Sequence, residues 1–143
     1  VACSQVGVRE HPPGSNRGPE VEKYLAAVGC NPGDPWCMAF VYWCYRQAAA
    51  KIGKENPLTP SGSCSAIYRW AKREGKLASR PTPGDVFLVK GGKTGHCHTG
   101  IVVGVDGGFV QTVEGNTNPA HSAEGIGVFR LTRKARTLDF VHL

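Results

Sequence analysis

The apolar residues of this chain change their spacing once, at the Pro-Thr-Pro-Gly segment of residues 81–84. Before this segment they recur every three or four residues, as in amphipathic helices. After it, short apolar stretches alternate with glycine-rich or polar turns, as in strands. Helices followed by antiparallel strands predict an α+β fold in which the helices pack on one side of the sheet. With 143 residues and no repeat, the chain is predicted to form a single domain, residues 1–143.

Local signals set the limits of these elements. Proline and acidic residues in the first turn, a serine cap and a terminal glycine are typical of helices. The predicted helices run from Pro19 to Gly29, from Cys37 to about Lys51, and from a cap at Ser61 or Ser63 to Gly75. The predicted strands are residues 85–90, 98–105, 108–114, 126–131 and 138–143, with a tight hairpin at residues 106–108.

Cys37 occupies the first position of the second helix, directly after the turn-rich residues 31–36. A helix N-terminus stabilises a thiolate, because its unpaired N–H groups and its dipole favour negative charge. Cysteine is also among the most frequently buried residue types, so this position fits a core residue equally well. The second half of the chain decides between these interpretations.

A histidine, a carboxylate and an amide lie together on the predicted hairpin. His98 begins one strand, and Glu114 and Asn116 end its partner. A turn at residues 106–107 places His98 opposite Gly115, between the two polar side chains. A cysteine at a helix start, a histidine on a neighbouring strand and a third group that orients the imidazole are the parts of an activated thiol nucleophile. We therefore predict catalysis.

Each residue of this set also has a purely structural interpretation. Glu114 could solvate a strand end, Asn116 could form an Asx turn, and His98 could be a satisfied core histidine. Their coincidence on one hairpin favours catalysis over all three. His96 shares the strand parity of His98, but it follows a glycine-rich loop and is the second choice. Trp36, beside Cys37, is interpreted as a packing residue.

The chain resembles the CHAP family, the cysteine, histidine-dependent amidohydrolases and peptidases. Four short runs carry the resemblance, which extends over nearly the whole chain: Trp-Cys-Met-Ala-Phe-Val at 36–41, Pro-Gly-Asp at 83–85, His-Thr-Gly-Ile-Val at 98–102 and Glu-Gly-Asn at 114–116. The resemblance implies a papain-like fold. It also implies that Cys37 is the nucleophile, that His98 is the general base, and that Glu114 and Asn116 position and polarise the imidazole.

The resemblance further implies a hydrolase that cleaves peptidoglycan, either at the amide between muramic acid and L-alanine or within the stem peptide or cross-bridge. Such an enzyme is expected to be secreted or delivered to the periplasm or cell wall. Its expected partners are peptidoglycan, a separate targeting domain, and an immunity or inhibitor protein. The chain is expected to be a monomer that binds neither nucleic acid nor a membrane.

No metal and no cofactor is expected. Some phage members of the family bind calcium through several aspartates in the loop before the cysteine. This chain offers only Asn31 and Asp34 there, whereas calcium takes six or more oxygen ligands. Asn31 is a weak candidate for a second donor to the oxyanion of the reaction, next to the Cys37 backbone N–H.

Two further functions stay open as alternatives. One is a noncatalytic module that binds the cell wall, and the other is a papain-like protease or deamidase that acts on a protein. The net charge of +6 favours a polyanionic partner. Nucleic-acid binding ranks last, because the basic residues form no stripe with interleaved aromatics. The one dense basic cluster is interpreted as a solvated loop: Arg130, Arg133, Lys134 and Arg136.

The six cysteines suggest an oxidising compartment, and the absence of a CxxC pair disfavours a zinc site. Cys44 lies two helical turns after Cys37, roughly 10 Å along the axis, and is predicted to be buried and out of its reach. Cys97 is predicted to face away from His98. The candidates for disulfide pairing are the other four cysteines: Cys3, Cys30, Cys64 and Cys97.

Overall fold

The computed structural model describes residues 1–143 and consists of three α-helices followed by one six-stranded antiparallel sheet. This confirms the predicted α+β fold with N-terminal helices and a C-terminal sheet. The helices are α1 (Pro19–Ala27), α2 (Cys37–Lys51) and α3 (Cys64–Arg73). The strands are β1 (Leu77–Ala78), β2 (Val86–Lys90), β3 (His96–Asp106), β4 (Phe109–Thr117), β5 (Gly127–Lys134) and β6 (Leu138–Val141). None of the helices has the length and apolar character of a membrane span.

The strand order in the sheet is β1-β6-β2-β3-β4-β5. Most helix and strand limits agree with the local signals within a few residues. The serine that caps α3 is Ser63, whose hydroxyl accepts the backbone N–H of Ala66 at 3.2 Å. The two-residue strand β1 was not predicted, because so short a segment carries no alternation of apolar and polar residues.

The basic cluster near the C-terminus is not a solvated loop. Arg130, Arg133 and Lys134 belong to β5, and Arg136 lies in a short 3₁₀ helix that joins β5 to β6. Arg130 is exposed, whereas the side chain of Arg133 is only 12% exposed. The prediction was wrong because β5 alternates apolar residues with polar ones on its solvent-facing side. Its basic residues therefore resemble those of a solvated loop.

The register of the β3–β4 hairpin differs from the prediction. The predicted turn would place Ile101 opposite Thr112, but the structure pairs Ile101 with Val113. The ladder closes at Asp106 and Phe109, one residue further along than predicted, and an irregularity between Val102 and Gly104 shifts the pairing again. A one-residue change of register moves side chains to the other face of a sheet. In the observed register, His98 and Glu114 are diagonal neighbours on one face.

Helix α2 packs across β3 and β4, with α1 against α2 and α3 against β3. The close approach of α2 to β4 requires glycine at position 115. A Cβ there would lie 2.7 Å from the Trp36 ring and 2.8 Å from Phe40. The contact brings the first turn of α2 against the strand that carries Glu114. A second, smaller apolar cluster is separate from this main core: Phe87, Val102, Val110, Leu138 and Phe140.

Candidate active site

Cys37 is the first residue of α2 and is 5% exposed. The residue before it, Trp36, makes no side-chain hydrogen bond that caps the helix. The first N–H groups of α2 are therefore not occupied by a side-chain cap, and they carry the positive end of the helix dipole. Cys37 thus lies where a thiolate and a developing oxyanion are both stabilised.

His98 lies in β3, is 1% exposed, and its Nε2 is 2.8 Å from Oε2 of Glu114. Glycine at position 100 makes room for this pair. A Cβ at Gly100 would lie 2.9 Å from Cγ of Glu114 and 2.7 Å from the Phe87 ring. The space that glycine leaves beside the imidazole is thus filled by the carboxylate that orients the ring.

Glu114 is fully buried and accepts hydrogen bonds from three side chains. Arg133 reaches it from β5 in a bidentate arrangement, with Nε 2.7 Å from Oε1 and Nη2 2.6 Å from Oε2. The Thr112 hydroxyl donates to Oε1 at 2.5 Å. Both oxygens are satisfied, so the carboxylate is held in one orientation toward His98.

These contacts hold the site in charged form. Burial by itself would raise the pKa of Glu114, but hydrogen bonds and positive charge from Arg133 and His98 lower it to about 2. Burial by itself would lower the pKa of His98, but its hydrogen bonds and attraction to Cys37 and Glu114 raise it to about 9. At neutral pH the imidazole is therefore protonated beside an ionised carboxylate.

The sulfur of Cys64 is 3.8 Å from the sulfur of Cys37. Cys64 is the first residue of α3 and is buried. Its hydrogen bond lowers the pKa of Cys37 well below the usual value, against the effect of burial, and His98 lowers it further. The same hydrogen bond, together with burial, raises the pKa of Cys64. Cys37 is thus the thiolate and Cys64 the thiol that donates to it.

Sequence reasoning missed two of these residues, Cys64 and Arg133. Cys64 was assigned to the cysteines available for disulfides, but all six cysteines are free thiols in the structure. The burial predicted for Cys44 is confirmed, and burial raises its pKa to about 12. Cys97 is exposed and the adjacent His98 is buried, in agreement with the prediction that Cys97 faces away from His98. Arg133 carries no local signal, since its partner is distant in sequence. Cys64 directly follows the predicted cap at Ser63, so its position at a helix start was a signal for it.

Asn116 is buried in β4 but makes no hydrogen bond to His98. Its Oδ1 accepts the backbone N–H of Gly125 at 3.2 Å, and its Nδ2 has no hydrogen-bond partner. Its backbone has a φ of 54°, in the left-handed region that asparagine tolerates. Glu114 therefore orients the imidazole in this structure, and a catalytic role for Asn116 stays a prediction.

His96 belongs to a different set of contacts. It begins β3 rather than lying in a loop, its Nε2 is 2.8 Å from Oδ2 of Asp139, and Tyr68 stacks on its ring at 4.2 Å. Lys90 lies 3.3 Å from the other oxygen of Asp139. The His96 ring thus contacts a carboxylate at the same distance as the His98 ring does, but its partners lie on α3 and β6.

The loop before Cys37 is anchored to the core at its last residue, Trp36, while residues 31–33 and 35 are exposed. Trp36 is fully buried and its Nε1 donates to the buried carboxylate of Glu10 at 2.8 Å, in agreement with a packing role. Asp34 accepts the backbone N–H of Asn31 at 2.8 Å, and Asn31 itself is exposed. No group of three or more His, Cys, Asp or Glu side chains is arranged to hold a metal ion.

A surface pocket of about 330 Å³ lies away from this site. Its lining is mostly apolar and includes Cys44, Tyr45 and Ile101, but neither Cys37 nor His98. Cys37 itself is 5% exposed.

A thiolate at a helix start, an imidazole and a carboxylate that fixes the imidazole form an arrangement typical of cysteine hydrolases. The CHAP domain family matches residues 29–116. The chain belongs to this family, which consists of cysteine- and histidine-dependent amidohydrolases and peptidases and is generally related to the cell wall. Cys37, Cys64, His98, Glu114 and Asn116 lie within the matched residues, and Arg133 lies outside them.

Among solved structures, the crystal structure of Ly7917 is 16% identical to the chain, with a TM-score of 0.49. The match covers 74% of this chain and 52% of that one, so the chain spans about half the length of that protein. No protein of curated function matches significantly.

Replacing Arg133 by glutamine is expected to lower turnover about tenfold to a hundredfold with little change in KM, because Glu114 loses the partner that aims it at His98. The depressed pKa of Glu114 contributes stability that is present above its ordinary pKa of 4.5 and is lost as pH falls toward 2. The variant is therefore expected to lose stability at neutral pH and to approach the original protein at acid pH. Urea unfolding between about pH 2 and pH 7 measures this.

The matched control is Arg130→Gln, which removes an exposed arginine from the same strand. It is expected to leave both turnover and the pH dependence of stability unchanged. Arg133→Lys keeps the charge without the bidentate geometry. Its turnover should be intermediate between the turnover of Arg133→Gln and that of Arg130→Gln. Equal behaviour of Arg133→Gln and Arg130→Gln would show that Arg133 does not position Glu114.

Proposed function

We propose that this chain is a cysteine peptidoglycan hydrolase that cleaves an amide bond of the bacterial cell wall. In this proposal Cys37 is the nucleophile, His98 the general acid and base, and Glu114 the residue that orients His98. Family membership supports an amidohydrolase or peptidase. The contacts of His98 support the assignment of roles within the site.

The observation that carries the proposal is the orientation of the His98 ring. An ionised carboxylate is only an acceptor, so the short contact with Glu114 means that Nε2 of His98 carries a proton. In the neutral ring, Nδ1 is then the basic nitrogen. Nδ1 is buried and has no hydrogen-bond partner, while attraction to Cys37 raises the pKa of His98 against the effect of burial. Nδ1 is therefore the nitrogen that is free to exchange a proton with the thiol.

The reaction would begin from the thiolate and imidazolium pair. The sulfur of Cys37 attacks the carbonyl carbon of the substrate amide, and the N–H groups at the start of α2 stabilise the resulting oxyanion. His98 gives its Nδ1 proton to the leaving amine, and a thioester to Cys37 remains. Because Glu114 stays ionised, it stabilises the imidazolium until this proton transfer is complete.

The second half of the reaction releases the acid. Neutral His98 takes a proton from water, the hydroxide adds to the thioester carbon, and the oxyanion again forms beside the start of α2. Collapse of this intermediate breaks the C–S bond and expels the Cys37 thiolate, which is again paired with the imidazolium that formed when His98 took the proton. The bond chosen depends on how the substrate docks around Cys37, and both the muramoyl amide and the peptide bonds of the stem and cross-bridge have the required carbonyl.

Peptidoglycan as substrate implies that the chain acts in the periplasm or cell wall after secretion or delivery. The net charge of +6 supports attraction to anionic wall polymers. A targeting domain and an immunity or inhibitor protein are the proposed partners of this enzyme, and the proposed state is a monomer.

The test is digestion of purified sacculi, followed by mass spectrometry of the released muropeptides. An amidase releases stem peptides free of sugar, whereas an endopeptidase shortens stems or separates cross-linked pairs. We expect one of these product sets from the original chain. The position of the new amino or carboxyl terminus identifies the bond.

The alternative functions give different results in the same assay. A noncatalytic wall-binding module would co-sediment with sacculi and leave the muropeptides unchanged. A protein deamidase would leave them unchanged and raise the mass of a protein substrate by one unit per modified amide, and a protease would cleave that substrate. Any of these outcomes would replace the proposed function.

A further inference from the structure

Two cysteines, each at the N-terminus of a helix, have their sulfur atoms in contact. Cys37 is the first residue of α2 and Cys64 is the first residue of α3, and their sulfurs are 3.8 Å apart. They are the only two cysteines whose side chains hydrogen-bond each other. Both are buried, at 5% and 7% exposure.

We propose that Cys37 and Cys64 form a reversible disulfide on exposure to a peroxide, which switches the enzyme off and protects the nucleophile from irreversible oxidation. This inference rests on the proposed function only in its effect on activity. The disulfide itself follows from the two thiols and their surroundings. In this role Cys64 is the resolving cysteine for an oxidised Cys37.

The chemistry is a two-electron oxidation by a peroxide such as hydrogen peroxide. The Cys37 thiolate attacks one peroxide oxygen, the O–O bond breaks, and hydroxide leaves, so that Cys37 becomes a sulfenic acid. Cys64 then loses its proton, its sulfur attacks the sulfur of Cys37, and the departing hydroxide takes that proton to form water. In total, two thiols and one peroxide give one disulfide and two waters. A dithiol reductant reverses the change by exchange.

The surroundings favour this order of events. A thiolate reacts with peroxide and a thiol does not, and Cys37 is the thiolate because Cys64, the start of α2 and His98 all stabilise its charge. Cys64 remains protonated and unreactive until the sulfenic acid forms beside it.

The other cysteines offer no equivalent partner. Cys44 is buried seven residues further along α2, roughly two turns away, and its raised pKa of about 12 keeps it protonated. Cys3 and Cys97 are exposed, and Cys30 is half-buried in the loop after α1. The other cysteine that could pair with Cys64 is Cys97, which lies in β3, the strand next to α3. The experiment must therefore distinguish a bond to Cys97 from a bond to Cys37.

The experiment uses the full chain, reduced and then exposed to a small excess of hydrogen peroxide. Free thiols are alkylated under denaturing conditions, and tryptic peptides are mapped by mass spectrometry. We expect the protein to lose two hydrogens and the peptide of residues 24–46 to become linked to that of residues 55–69. Fragmentation assigns the bond to Cys37, because Cys30 and Cys44 in the same peptide stay alkylated. Dithiothreitol is expected to restore both thiols.

Cys64→Ser tests the protective role. Without a resolving thiol, Cys37 is expected to proceed to sulfinic acid, which dithiothreitol does not reduce. The control Cys97→Ser is expected to form the Cys37–Cys64 disulfide as the original protein does. Circular dichroism establishes that each variant is folded, and the mapping of the original protein decides the proposal even if Cys64→Ser does not fold.

Two results would overturn the proposal. One is sulfinic acid at Cys37 of the original protein while Cys64 is still fully alkylated. The other is a Cys64–Cys97 disulfide in place of the expected one. Because the readout is peptide mass, it is independent of hydrolysis. If the disulfide forms but the reduced protein releases no muropeptides, the proposed function is refuted and the disulfide itself still stands.

Discussion

The Cys37→Ala variant is expected to release muropeptides at least about a thousandfold more slowly than the original protein, because it lacks the only thiolate beside His98. Its fold should persist, since the change removes one sulfur atom at a helix start. The stability cost is expected to be on the order of 1 kcal/mol. Muropeptide release and thermal unfolding are measured on the same preparation.

The matched control for this variant is Cys44→Ala. Cys44 is a buried cysteine of the same helix, and its pKa is raised rather than lowered. This variant should lose a similar amount of stability while its rate stays within about twofold of the original. A rate near that of the original protein in Cys37→Ala would remove Cys37 from the mechanism.

The second large effect is expected for His98→Ala, with a loss of turnover of about a hundredfold to ten-thousandfold. The variant lacks the group that exchanges protons with Cys37 and the substrate. It also leaves the buried carboxylate of Glu114 with Arg133 and Thr112 as its only partners. Turnover on sacculi at neutral pH is the measurement.

His96→Ala serves as the comparison, because both histidines lie in β3 and each contacts a carboxylate on another strand. Its turnover should fall by less than about tenfold, whereas its stability should drop by about 1–3 kcal/mol through the lost contacts with Asp139 and Tyr68. A larger loss of turnover in His96→Ala than in His98→Ala would identify His96 as the base.

Part of this site follows from local sequence. The position of Cys37 could be predicted because turn residues stop abruptly at Trp36 and helical spacing begins at the next residue. The same holds for the Ser63 cap and for the change from helices to strands after residue 84. These features depend on backbone preferences and on spacing within a few residues, and such information is present in any short stretch of sequence.

The pairing of His98 with Glu114 was predicted from an incorrect register of the β3–β4 hairpin. The predicted register would have placed the two side chains on opposite faces of the sheet. The position of the turn and the irregularity between Val102 and Gly104 change the register, and the two residues then share a face. A shift of this kind depends on packing around the whole hairpin, so its sequence alone specified only that the two residues lie near its open end.

The remaining contacts of the site were decided by the tertiary structure alone. Arg133 meets Glu114 from a strand that begins after a separate loop, and Cys64 meets Cys37 from the start of another helix. The local sequence of Arg133 is that of a surface arginine, and the position of Cys64 at a helix start does not show which residue it meets. Each acquires its role when the sheet order and the packing of α2 and α3 bring it to a buried partner. There, exclusion of water makes a single hydrogen bond strong enough to set the charge of a neighbouring side chain.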